Sequence, residues 1–450
     1  MAKLNKYKPY ESYTDTSAVW YKQKPAHWEC ERFKYHFIEK KKKNSTCLPA
    51  GAISFGEVIF KNEDNLSQDT KSSYQEVCAG EFLINPLNLN FDLKSLRTAL
   101  STIDVVVSTG YIVLQDCGFL HPRFARWLLQ QFDVSHMKTL GAGVRQTINY
   151  ADIGNSLFCR PTFEEQKIIA AFLDYETQKI DKLIERQQQL IELLKEKRQA
   201  VISHAVTKGL NSNVRMKDSG IEWLGEVPEH WIVRRLKHTS TLQSGMPKGK
   251  DLTGKNSISV PMLRVANVQD GYLDLTEVNN INIEPSQLER YLLRDGDVLM
   301  NEGGDNDKLG RGAVWNVPID NCIHQNHVFA IRPFSIESEW LDMLTRADYA
   351  KFHFYRVAKQ STNLASISST NVKETPLLIP PRKERDEILK FINFQLNKIK
   401  ATEEFSTKQV VLLQERRTAL ISAAVTGKID VRDWVAPDMQ DAEEPQETTV

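Results

Sequence analysis

Three loops hold side chains able to donate to phosphates and read base edges. They are Gln243-Ser-Gly-Met-Pro-Lys-Gly-Lys250, Gly303-Gly-Asp-Asn-Asp-Lys-Leu-Gly-Arg-Gly312 and Gly141-Ala-Gly-Val-Arg-Gln146. Lysine and arginine neutralise phosphate charge, while the amides of Asn and Gln match the donor and acceptor pattern in a DNA major groove. The candidate DNA-contacting residues in and around these loops are Arg145, Gln146, Lys248, Lys250, Lys308 and Arg311, joined by Arg264, Asn267 and Asn326. Asn85, Asn301, Thr109 and Gln325 complete the set and serve equally well as structural caps. No catalytic residue and no metal ligand is expected.

Motifs whose mechanism fixes their spacing are missing. A methyltransferase acting on an amino group of a base needs Asn or Asp before Pro-Pro and an aromatic after it, whereas Ile379-Pro380-Pro381-Arg382 opens a helix. Gly249 to Asn256 nearly spells a phosphate loop. Asn256 nevertheless stands where Ser or Thr would hold magnesium, and Val260-Pro261 follows where a helix should begin. Six cysteines lie scattered without a Cys-x-x-Cys pair, arguing against a zinc module or a disulfide framework; they are expected to be reduced and mostly buried.

The elements that must position these loops are repeated. Trp20, Pro25, His27, Trp28, Arg32 and Lys34 return as Trp223, Pro228, His230, Trp231, Arg235 and Lys237 at an offset of 203. Asn85 matches Asn301 and Thr109 matches Gln325 at 216, and Pro161 to Thr207 aligns with Pro380 to Thr426 at 219 without a gap. The rising offset places insertions in the globular parts and keeps the helical parts at one length. His27 and His230, beside Trp28 and Trp231, read as packing residues.

The first globular part carries short β-rich runs such as Glu81 to Ile84, Asp104 to Val107 and Tyr111 to Leu114, with turn residues between them. From Pro161 the chain runs without Gly or Pro to Gly209, which predicts one long helix, Glu164 to Thr207, roughly 65 Å in length. Its apolar stripe is Ile169, Phe172, Ile180, Leu183, Leu190, Leu194 and Val201; the repeat supplies Ile388, Phe391, Ile399, Leu413 and Leu420. Gln187 and Ser406 interrupt the stripes at corresponding positions. A helix this long must bury its stripe outside its own globule, and the other long helix is the nearest partner.

The expected class is therefore α/β, of mixed α+β type: two globular domains, each followed by a long helix, the helices forming an antiparallel coiled coil with pseudo-two-fold symmetry. The expected boundaries are a first globular domain 1–158, a spacer helix 159–208, a linker opening the second repeat 209–229, a second globular domain 230–378, a second spacer helix 379–427 and an acidic, disordered tail 428–450. Lys plus Arg and Asp plus Glu number 58 each, but five acids and no base lie from Pro437 onward, leaving the preceding residues modestly basic. No apolar run suits a membrane, so a cytoplasmic protein is expected.

This combination resembles the specificity subunit of type I restriction-modification systems. Arg160-Pro-Thr-Phe-Glu-Glu-Gln-Lys-Ile-Ile-Ala-Ala-Phe-Leu-Asp174 is similar to that family's Pro-x-x-x-Glu-Gln-x-x-Ile-x-x-x-Leu-Asp signature, and Gly220 to Trp231 is similar to the run opening its second half. The second copy departs, with Glu384-Arg385 and Ile392-Asn393 at the signature positions. The resemblance implies a non-catalytic subunit whose two target-recognition domains each read half of a bipartite, asymmetric site in double-stranded DNA. It further implies two methyltransferase subunits and two motor-nuclease subunits as partners, which would use S-adenosylmethionine, ATP and Mg2+. The competing reading is a stand-alone DNA-binding adaptor without a methyltransferase.

If the helices set the separation of the half-sites, four residues inserted near Gln187, roughly one turn or ~6 Å, should widen the preferred gap by about one or two base pairs. Methylation-motif mapping of the insertion variant reads this directly, and an unchanged gap refutes the ruler.

Overall fold

A computed structural model describes residues 7–45, 47–54, 56–64, 66–87, 96–141, 147–247, 256–304, 309–360 and 365–436. The chain forms two compact units, one of Met1–Gln187 with Lys408–Val450 and the other of Gln188–Thr407. Both are mixed α/β. The division falls inside the two long helices, Phe163–Lys208 and Arg382–Val425, so each unit owns the start of one and the end of the other.

The first unit centres on a six-stranded sheet ordered Phe37–Glu39, Ile112–Asp116, Phe82–Ile84, Thr98–Leu100, Glu57–Phe60, Gly51–Ser54. Neighbours are antiparallel except Glu57–Phe60 beside Thr98–Leu100. Phe82–Ile84 and Val105–Val107 are buried throughout, as an unbroken apolar run requires when both faces of a strand are covered. Phe33, Phe37, Phe124, Trp127, Phe132 and Phe158 fill the core with Phe172 from the first long helix and Leu420 to Val425 from the end of the second. Here the two helices run antiparallel: Phe172 meets Trp434 edge-on at 5.6 Å, and beside Ile180 the Arg417 Nε to Asp181 Oδ1 pair closes at 2.8 Å.

In the second unit a four-stranded antiparallel sheet is ordered Ser240–Ser244, Val328–Pro333, Val298–Asn301, Gly312–Val314. A second sheet joins Asn279–Ile283, Ile258–Leu263 and Ile323–His324. The core sets Trp231, Trp340, Leu341 and Phe354 against Ile202, Ala205 and Val206 of the first long helix and Ile388 and Ile392 of the second. These helix segments also run antiparallel, with Arg198 paired to Glu403 and Gly209 lying against Glu384.

The same joint mounts both globular parts on the helices. Glu165, in the first turn of the first long helix, accepts the Trp28 Nε1 proton at 3.1 Å, lies 3.0 Å from His27 Nε2 and takes the Tyr10 hydroxyl. Glu384 does the same for Trp231, at 3.1 Å, and His230, at 2.6 Å. A carboxylate there also offsets the positive end of the helix dipole. The helix that ends at each tryptophan closes with a left-handed glycine, Gly427 (φ 71°) beside Trp28 and Gly209 (φ 74°) beside Trp231. A Cβ on Gly427 would stand 2.5 Å from Pro25 Cδ, and one on Gly209 3.3 Å from Trp231 Cζ2. The two histidines are thus partners of a helix-capping carboxylate, and both stay part-exposed.

The departure from Glu-Gln to Glu-Arg has a local reason. Gln166 Oε1 accepts the backbone N–H of His121, the residue before helix Pro122–Phe132, at 2.8 Å. Arg385 instead bonds Glu337, the residue before helix Ser338–Arg346, at 3.2 Å. Each side chain meets the cap that its own unit presents.

Three segments differ from expectation. Of the apolar stripes, Ile169, Phe172, Ile180, Ile388, Ile399 and Leu420 are buried and Leu194, Val201 and Leu413 half-buried, but Leu183, Leu190 and Phe391 are exposed. The buried set shifts to include Leu173 and Ile421, which enter the core of the first unit, and Ile202 and Ile392, which enter that of the second. In the expected linker, Met216–Asp218 pairs with Glu226–Pro228. Of the expected tail, Ile429 and Val431 are buried and Asp430 N bonds Lys8 O at 2.8 Å, while residues 437–450 lie outside the described residues. Among the described residues no helix is long and apolar enough to cross a membrane.

Truncating a core anchor should separate sharply from truncating the exposed stripe. Phe172→Ala should cost about 3–5 kcal/mol, and Leu183→Ala within about 0.5 kcal/mol of zero, in urea unfolding followed by tryptophan fluorescence.

Candidate nucleic-acid interface

In the second unit the turn from Arg264 to Val278 is held from beneath by two buried amides. Asn267 Oδ1 accepts Arg264 N at 2.8 Å, and its Nδ2 donates to Asp274 O at 2.8 Å and Glu277 O at 2.9 Å. Asn301 Nδ2 donates to Val265 O at 3.3 Å and Val268 O at 2.9 Å. Both asparagines are 3% exposed, so they shape the turn and cannot reach a base edge. The Arg264 guanidinium is part-exposed with Glu277 3.8 Å away, and Arg311 Nη1 donates to Gln269 Oε1 at 3.4 Å. These two arginines flank the turn that the asparagines fix.

The turn is also tied to the first long helix. Arg346 Nε donates to Asp270 Oδ1 at 3.0 Å and its Nη1 to Asp342 Oδ2 at 3.2 Å, and its carbonyl accepts Gln199 Nε2 at 2.8 Å. Lys351 Nζ donates to Gln199 Oε1 at 2.7 Å. Burial pushes the Asp342 carboxyl up to about 6, against the pull of the Arg346 cation. Gly271 (φ 83°) lets the chain pass over the guanidinium, since a Cβ would stand 2.5 Å from Arg346 Cζ.

Beside it, a tight turn presents Gln325 and Asn326, both half-buried. Gln325 N bonds Leu263 O at 2.9 Å, Met246 N bonds His324 O at 2.8 Å, and Asn326 N bonds Met246 O at 2.9 Å. Gly245 lies so close that a Cβ would stand 2.2 Å from Gln325 O. The Asn326 amide is 3.3 Å from His327, which pairs with Glu302 at 3.0 Å. Four candidates, Arg264, Arg311, Gln325 and Asn326, thus remain at the edge of the second unit. Lys248, Lys250 and Lys308 lie outside the described residues, as do Arg145 and Gln146 in the first unit.

In the first unit Asn85 closes an Asx turn, Oδ1 accepting Leu87 N at 3.1 Å, and Pro86 O accepts Ile148 N at 3.2 Å. Thr109 sits exposed in the neighbouring turn, its carbonyl accepting Lys42 Nζ at 3.0 Å. Lys41, Lys42 and Lys43 are exposed beside that turn, a basic edge without the glycines that mark the other loops. The signal was present: the run follows strand Phe37–Glu39 just as Gly245 and Met246 follow strand Ser240–Ser244, and each strand pairs with the strand that follows the second turn. Both units therefore carry cationic and amide side chains on turns supported by an antiparallel sheet, an arrangement suited to phosphate and base-edge contacts. Among the described residues no group of three or more His, Cys, Asp and Glu could hold a metal ion. Two of the six cysteines are buried, three half-buried and Cys47 exposed.

No family model matches the chain. In sequence it aligns with the StySPI specificity subunit of Salmonella potsdam at 27% identity, over 61% of this chain and 59% of that one. The EcoKI specificity subunit of Escherichia coli K12 aligns at 25% over 51% and 48%, and the MjaX specificity subunit of Methanocaldococcus jannaschii at 27% over 38% and 40%. The chain is similar to type I restriction enzyme specificity subunits. The alignments span about half the length of these relatives. In fold the chain matches a solved chain of a type I restriction-modification system with a TM-score of 0.66 at 16% identity, over 90% of this chain and 99% of that one. The likeness in fold thus extends well past the stretches aligned in sequence.

Arg346→Lys keeps the charge but loses the planar fork that holds Asp270 and Asp342 together. The loss of a charged hydrogen bond, about 1.5–3 kcal/mol, should appear as amide exchange at least roughly tenfold faster at Gln269 and Asp274, with the sheet Ser240–Ser244 to Gly312–Val314 unchanged.

Proposed function

We propose that this chain is the DNA-recognition subunit of a type I restriction-modification complex and performs no chemistry itself. Each globular part reads one half of a bipartite, asymmetric target in double-stranded DNA, and the long helices fix the separation of the halves. The observation that carries this reading is the pairing of a repeated mount with differing edges. The joint of Glu165, Trp28 and Gly427 is repeated by Glu384, Trp231 and Gly209, whereas the edges differ: three lysines at Lys41–Lys43 in one unit, Arg264, Arg311, Gln325 and Asn326 in the other.

Two copies of a methyltransferase subunit are the expected direct partners, with two motor-nuclease subunits completing the complex. S-adenosylmethionine, ATP and Mg2+ would be used by those subunits and not by this chain, and the whole would act in the cytoplasm. Support for a duplicated partner comes from the helices: Leu193 and Leu412 are identical at the repeat offset, and both are exposed, at 60% and 46%. Exposed leucines at matching positions suit two equal docking sites.

The test is single-molecule sequencing of N6-methyladenine in a methylation-free bacterial host that expresses the chain with its cognate methyltransferase subunit, against that subunit alone. A new split motif with a fixed gap is expected. No motif, together with tight sequence-specific DNA binding by the purified chain alone, would favour the adaptor reading.

A further inference from the structure

Strand Glu29–Arg32 pairs antiparallel with Leu157–Arg160, the strand that leads into the first long helix, and the register sets Cys30 directly across from Cys159. The hydrogen bond from Phe33 N to Ser156 O, 3.1 Å, fixes the alternation along this ladder. Three residues along from Phe33, Cys30 and Cys159 fall at a non-hydrogen-bonded pair, where facing Cα atoms approach to about 4.5 Å. That spacing lies inside the ~4.4–6.8 Å window in which a disulfide closes without moving the backbone. One hydroxyl touches both thiols, Thr16 Oγ1 lying 3.1 Å from Cys30 Sγ and 3.3 Å from Cys159 Sγ.

The second unit shows what the position needs for folding alone. Strand Ile232–Arg235 pairs with Pro376–Ile379 in the same register, with Leu236 N to Thr375 O at 2.9 Å in place of the Phe33 bond, and the facing residues are Val233 and Leu378. Two apolar side chains suffice there. The first unit carries thiols at both positions, and Thr16 stands where the repeat has Ser219.

We propose that Cys30 and Cys159 form a redox-active dithiol that takes a small-molecule disulfide of the glutathione class as its oxidant and closes to an intrachain disulfide. Half-exposed Cys30 attacks oxidised glutathione, forming a mixed disulfide and releasing one reduced glutathione. Cys159 then attacks the Cys30 sulfur and releases the second, so two thiols are oxidised, one glutathione disulfide is reduced and both thiol protons leave on glutathione. Burial pushes the Cys159 thiol up to about 12, which leaves the first attack on glutathione to half-exposed Cys30. The bond would staple the strand that follows Trp28 to the strand that enters the helix bearing Glu165. It would lock the mount of the first unit and leave the second unchanged. This inference stands independently of the proposed DNA-reading role.

The experiment is a titration of the purified full-length chain with reduced and oxidised glutathione, quenched with acid and read by peptide mass mapping. The expected result is a Cys30–Cys159 linked peptide that appears in a single two-electron transition and vanishes with dithiothreitol. Cys159→Ser should halt the reaction at glutathionylated Cys30, and Cys30→Ser should leave Cys159 a free thiol. The double variant Cys30→Val with Cys159→Leu copies the pair of the second unit, and should fold as the parent does while its thermal midpoint ceases to respond to the titration. A glutathione adduct on Cys30 that persists in the parent chain without a linked peptide would overturn the proposal, as would crosslinks confined to Cys47.

Discussion

An indole N–H given to a glutamate in the first turn of a long helix is the contact from which each half of the molecule is built. The carboxylate is tied to its helix by the chain and to its globular part by the tryptophan, so one hydrogen bond fixes the entry of the helix relative to the sheet. The tryptophan also rests near the glycine that ends the other long helix, and only a residue without Cβ permits that approach beside Pro25. Each unit thus fastens two helix ends with one aromatic side chain. Losing the charged acceptor would leave a buried indole N–H unsatisfied as well as unmooring the helix, which is why the glutamate recurs where its neighbour changes from Gln166 to Arg385.

Above this joint the two units diverge in what they hold fixed. In the second, buried Asn267 and Asn301 spend their amides on backbone carbonyls, and Arg346 links the resulting turn to Gln199 on the helix. The edge is therefore preorganised by side chains that never face solvent, while Arg264, Gln325 and Asn326 stay within reach of it. In the first, the corresponding edge is a run of lysines on a turn tethered through Gln75 and Lys42 to the backbone around Ser108 and Thr109. A point-charge edge suits phosphate contacts and an amide-rich edge suits base edges.

Much of this was legible in the residues. A repeat that keeps one offset along its helical part, a run from Pro161 to Gly209 without Gly or Pro and a Pro-Pro opening at Pro380 are local signals, and both long helices follow from them. The phase of the buried stripe was not, because Leu183, Leu190 and Phe391 obey the same spacing as Phe172 and only the neighbour at each level decides which is covered. Nor could composition separate Asn267 and Asn301, which support the turn, from Asn326, which remains at the edge. An amide reads alike whether it bonds a backbone or a base. The basic run at Lys41 was overlooked because it lacks the glycines that marked the other loops, although the repeat places it in the equivalent position.

The partition of the long helices also sets an order of events as the chain leaves the ribosome. The second unit is continuous in sequence, from Gln188 to Thr407, and can close its core as soon as that stretch has emerged. The first unit begins earlier but cannot finish before it, since Leu420 to Val425, Ile429 and Val431 belong to its core and are synthesised after the second unit. At about 5–20 residues per second, the globule begun at the N-terminus waits on the order of ten seconds or more for its final layer. During that interval Phe172 lacks its edge-on contact with Trp434, so the unit begun earlier is the one most in need of protection from aggregation.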